Sequence, residues 1–72
     1  VNAAQIKVEV SKHAEVVATD LRRGWVHVRI DGLVYMVWIC KAMTAELIAR
    51  CIADAPRYSR CLSFVAGSKY AA

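Results

Sequence analysis

Asp31-Gly32 lies between two runs of β-branched and aromatic residues, W-V-H-V-R-I over residues 25–30 and L-V-Y-M-V-W-I-C over residues 33–40. A two-residue reversal of this kind needs positive φ at both positions, which Asp tolerates and Gly adopts freely. Its backbone twist matches that of the strands it joins. The pair constrains the chain because it fixes a register. With residues 31 and 32 as the loop, Ile30 faces Leu33, Val28 faces Tyr35 and Val26 faces Val37. These side chains, with Ile39, make one almost wholly apolar face. The other face sets Trp25 against Trp38, His27 against Met36 and Arg29 against Val34, and also carries Cys40. A slip of one residue would exchange the two faces.

The remaining segments are read around this hairpin. Residues 5–11 alternate, with Ile6, Val8 and Val10 against Lys7, Glu9 and Ser11, the pattern of a half-buried strand. Residues 11–24 support two readings. In one, Ser11 caps a helix with Ala14, Val17, Ala18 and Leu21 on one face, ended by Arg22-Arg23-Gly24. In the other, residues 11–14 turn, residues 15–21 form a strand, and residues 22–24 form a hairpin loop with Gly24 left-handed. Val16, Val17 and Thr19 favour the strand, because branching at Cβ suits a pleated surface. Ala14, Glu15, Leu21 and the arginines favour the helix. We take the strand as the main reading.

Residues 44–55 read as a helix, with Thr44 as N-cap and Glu46 in the first turn, near the positive end of the helix dipole. Leu47, Ile48, Cys51, Ile52 and Ala55 form its apolar stripe, and Pro56 is expected to stop it. Residues 57–60 form a polar connection, and residues 61–65 a last short strand with Leu62 and Phe64 on one face. Residues 1–4 and 69–72 are expected to fray.

The helix stripe needs an apolar surface, and the apolar hairpin face supplies one. The expected fold is a single small α+β domain over residues 1–72. It has an antiparallel sheet of four to five strands, a meander over residues 5–40 plus a C-terminal strand over 61–65, with one helix over 44–55 on one face. If residues 14–22 are helical instead, the order becomes β-α-β-β-α-β. That order resembles the ferredoxin-like arrangement in topology alone, which many unrelated functions share. Both versions leave the face of Trp25 and Trp38 without a covering element.

Composition bears on what that face does. The chain has 72 residues, 58% of them hydrophobic. A domain this small buries roughly 60% of its unfolded surface, so apolar surface is left over and self-association is expected. The net charge is +4, but Lys and Arg are spread out and adjacent only at Arg22-Arg23. That distribution suits solubilising charge better than a nucleic-acid footprint. The longest apolar run, residues 33–40, is too short to span a membrane. No charged-then-apolar pattern opens the chain, so secretion is not expected. Cys40, Cys51 and Cys61 form no CxxC pair and fit free thiols in a reducing, cytoplasmic compartment. Cys40 and Cys51 fall on apolar patterns and read as small core side chains.

No enzymatic activity, cofactor or metal is expected. His13 and His27 stand far from any cysteine pair, which a zinc site would need. His27 and Cys40 share a sheet face but lie about two residue pairs apart, too far for a nucleophile pair. There is no phosphate-cradling glycine loop, and a chain this size has little room for a ligand cavity.

Trp25, His27, Arg29, Met36 and Trp38 are therefore the candidate partner-binding residues. Aromatics, Met and Arg are the types enriched at interface centres. The expected function is a small interaction module, forming a homodimer through the sheet face or a sheet edge. Two other readings stand beside it. The indoles could pack on each other within the monomer, with a tail carrying Tyr70 laid over them. Alternatively, single-stranded nucleic acid could stack on Trp25 and Trp38, with Arg29, Lys7, Arg22 and Arg23 at the phosphates. Arg23-Gly24-Trp25 resembles the opening triplet of RNA-recognition sheets, but Val26-His27-Val28 departs from its continuation.

Overall fold

The computed structural model describes residues 2–71, so the fraying expected at Val1 and Ala72 lies outside the described residues. Helix α1 (Ala3–Ser11) is followed by strands β1 (Glu15–Asp20), β2 (Trp25–Ile30) and β3 (Leu33–Trp38). Helix α2 (Ala45–Tyr58), a short strand β4 (Arg60–Cys61) and a 3-10 turn (Leu62–Phe64) complete the order. The strands form one antiparallel sheet in the order β1-β2-β3-β4, with helices on one face, an α+β fold. Each strand neighbours the next in sequence, so the ferredoxin-like alternative, whose strands interleave through crossovers, does not apply.

The reversal between β2 and β3 forms as the sequence specifies. Asp31 has φ 51° and Gly32 φ 82°. All six expected cross-strand pairs are present, from Ile30–Leu33 at the turn to Trp25–Trp38 at the far end. Beyond them the Ile39 N–H donates to the Gly24 carbonyl at 2.9 Å and extends the ladder by one step. Val26, Val28, Tyr35, Val37 and Ile39 are buried on the apolar face. Ile6 and Val10 of α1, and Ile48, Ile52 and Ala55 of α2, complete the core from above.

Residues 15–20 are the strand that the β-branched residues favoured. Its register against β2 shifts between Val16 and Ala18, a bulge on an edge strand. Such a bulge bends the edge and discourages pairing with another chain.

Five local expectations are corrected. Residues 5–11 belong to a helix and not to a strand. Asn2 Oδ1 accepts from the Gln5 N–H at 2.9 Å, and Gln5 Oε1 accepts from the Asn2 N–H at 2.8 Å. This reciprocal cap starts a helix at the point where alternation suggested a strand. Ile6 and Val10, four residues apart, are buried, while Val8 between them is 60% exposed. Pro56 does not stop α2, which runs on to Tyr58. A proline in the last turn costs one main-chain bond, and the Ser59 N–H closes the end on the Ala55 carbonyl at 2.9 Å. Leu47 lies outside the buried stripe and is 42% exposed. The C-terminal strand pairs only at residues 60–61, and Leu62–Phe64 form a 3-10 turn that leaves Phe64 exposed. The described ends are also tied down, Asn2 by its cap and Tyr70 by a contact with His27.

Candidate functional site

Because β2 and β3 alternate, Trp25, His27, Arg29, Val34, Met36 and Trp38 project from the face away from the helices. The indoles are therefore across the sheet from the docked helices, as the register requires. They do not share one environment.

The middle of this face is covered by the chain after β4. The Trp25 and His27 rings, two positions apart on β2, are stacked with centroids 4.2 Å apart and planes 14° from parallel. Tyr70 meets His27 edge-on, with centroids 5.4 Å apart, and its hydroxyl lies 3.0 Å from His27 Nδ1. Val34 is buried, and its N–H donates to Ser63 Oγ at 3.0 Å. Burial, and then the nearby Lys69 ammonium, hold the His27 pKa below its ordinary value. A neutral imidazole leaves Nδ1 free to accept from the Tyr70 hydroxyl. Lys69 Nζ itself sits 5.2 Å from the Tyr70 ring centroid.

Arg29 is exposed, and its guanidinium meets the Glu15 carboxylate of β1 at 2.8 Å. Met36 is half-buried between His27 on β2 and Arg60 on β4. Of the five expected site residues, Trp25 and His27 are thus stacked with Tyr70 edge-on to His27, Arg29 is joined to Glu15, and Met36 is half-buried between strands. Trp38 alone among the five is an exposed aromatic, at 61%.

Trp38 stands where the sheet runs out of neighbours. β4 pairs with β3 at Tyr35 and Met36 and goes no further. Beside the unpaired end of β3 runs a cleft of about 290 Å³, lined by Val37, Trp38, Arg50, Cys51, Asp54 and Tyr58 among others. Tyr58 is 79% exposed. Among the described residues neither Arg50 nor Asp54 has an ion-pair partner. Arg50, Cys51 and Asp54 of this wall lie within the helix expected over residues 44–55, whereas Tyr58 lies beyond its expected end. The signal for this wall is the spacing of Leu47, Arg50, Cys51, Asp54 and Tyr58, which follows one ridge of a helix beside the buried stripe.

All three cysteines carry free thiols; Cys40 is exposed and Cys51 and Cys61 are half-buried. The exposure of Cys40 departs from the core position expected for it. Among the described residues no group of three or more His, Cys, Asp or Glu side chains gathers, and no helix is long and apolar enough to cross a membrane. No protein-family model, no curated protein and no solved structure matches this chain.

Proposed function

We propose that this chain is a small non-enzymatic interaction module that self-associates through the Trp38 end of its sheet. The exposed indole of Trp38, beside a cleft at the unpaired end of β3, is the observation that carries this reading. A large rigid aromatic gains most from desolvation at low cost in side-chain entropy. The rest of the expected surface contributes less, since Tyr70 already occupies His27 and Glu15 already occupies Arg29.

The nucleic-acid reading is weaker on the same grounds. Two of its four proposed phosphate contacts, Arg29 and Arg23, are engaged by Glu15 and Asp20, and Trp25 is stacked on His27. Molar mass in solution, measured against protein concentration at low and high salt, tests the proposal. The expected result is a dimer with mild salt dependence, reduced to monomer by Trp38→Ala. Affinity for a single-stranded oligonucleotide that falls steeply with salt would replace it with the nucleic-acid reading.

A further inference from the structure

We propose that the occupant of the cleft between α2 and β3 is a second copy of this chain, docked about a two-fold axis so that Arg50 of each copy meets Asp54 of the other. The inference rests on the self-association proposed above and names its geometry.

One ridge of α2 reads Leu47, Arg50, Cys51, Asp54, Tyr58, with an exposed large apolar side chain at each end, an exposed Arg50, and Cys51 and Asp54 half-buried between them. A two-fold axis across this helix between residues 52 and 53 sets the two copies antiparallel. Leu47 then faces Tyr58 of the other copy, and Arg50 comes within about one residue rise, 1.5 Å, of standing opposite Asp54. A two-fold contact brings one patch against itself, so it must be self-complementary. A ridge of one charge sign would repel its own copy, whereas a cation and an anion placed either side of the axis attract twice. Arg50 and Asp54 are both without an ion-pair partner among the described residues, so no existing pair has to break.

Trp38 also lines this cleft, at the end of β3. The apolar ends exposed in the monomer, Leu47 at 42% and Tyr58 at 79%, become covered. A polyanion fits this cleft less well, because Asp54 lines it. A stable interface usually takes roughly 800 Å² from each partner. That is about a sixth of the 4731 Å² this chain exposes.

Charge exchange tests the geometry. Sedimentation equilibrium at protein concentrations up to about 500 μM would give the molar mass of the wild type and four variant samples. Arg50→Asp alone and Asp54→Arg alone are each expected to weaken self-association at least about tenfold, because each sets like charges opposite one another twice. An equimolar mixture of the two single variants is expected to form a mixed dimer within about threefold of wild-type affinity. The double variant R50D/D54R should do so with itself, which keeps the test sharp if either single variant folds poorly. Single variants that dimerise like wild type, or a mixture that stays monomeric, would overturn the two-fold arrangement. If Trp38→Ala is monomeric while the charge variants dimerise normally, the geometry is wrong and the self-association proposal stands. A wild type that stays monomeric throughout this range ends both.

Discussion

Trp25 and Trp38 face each other across neighbouring strands, on one side of one sheet, yet they meet different fates. Trp25 lies stacked on His27, and Tyr70 meets that imidazole edge-on. Trp38 is 61% exposed over a strand end that β4 does not reach. The pleat decides which face a side chain takes, and it treats both indoles alike. The route of the chain after β4 separates them, because residues 62–71 return over the middle of the face and leave its end open. A residue's strand register therefore identifies a candidate surface, and the distant segment that packs on it decides how much of that surface remains available.

The contrast can be broken most forcefully at Trp25. Trp25→Ala removes one ring of the Trp25–His27 stack and should lower unfolding free energy by about 2 kcal/mol in urea titrations. Trp38→Ala, measured under conditions where the protein is monomeric, should change it by no more than about 0.5 kcal/mol. Equal losses at both positions would mean that the two indoles are not in different roles.

Tyr70→Phe keeps the ring and removes the hydroxyl that meets His27 Nδ1, so about 1 kcal/mol of stability should go with it. Faster amide exchange along residues 62–71 in the variant would show that the hydrogen bond holds the returning segment down. No change in exchange or stability would reduce the contact to simple ring packing.

The His27 ring sharpens the comparison through pH. Its folded pKa lies below the ordinary value because the ring is partly buried and Lys69 is near. The unfolded chain therefore takes up a proton first as the solution is acidified. The stabilisation is fully present above about pH 6.5 and is lost as the pH falls from there down through the lowered folded value. Stability–pH curves of wild type and His27→Gln should diverge in that window. Parallel curves would mean that the proton uptake of His27 is the same folded and unfolded.

The smallest expected effect is at the exposed Arg29–Glu15 pair. Glu15→Gln should cost no more than a few tenths of a kcal/mol, largely erased by high salt. A larger loss would mark β1 as a stronger anchor of this face than Arg29 exposure suggests.

How much of this was legible in the sequence depended on distance along the chain. The β2–β3 register was readable because the turn and its flanking strands lie within sixteen residues, 25–40, and Asp31-Gly32 permits few alternatives. Helix α1 was misread because Ile6, Val8 and Val10 satisfy a period of two, while Ile6 and Val10 alone satisfy the helical spacing. The Asn2–Gln5 cap carried the correct signal three residues apart. The end of α2 differs from the expectation because a proline in the last turn removes only one main-chain bond and does not stop the helix. Of the ridge beside the buried stripe, Tyr58 alone lies beyond the expected end. The Tyr70 contact joins positions 43 apart, and nothing local in the sequence specifies which part of the face it covers.

The central claim is that Trp38 serves association while Trp25 serves the fold. Sedimentation equilibrium on the two single alanine variants, under conditions where each is folded, tests it most directly. Trp25→Ala is expected to self-associate still, and Trp38→Ala to be a folded monomer. A Trp38→Ala protein that self-associates as strongly as wild type would contradict it.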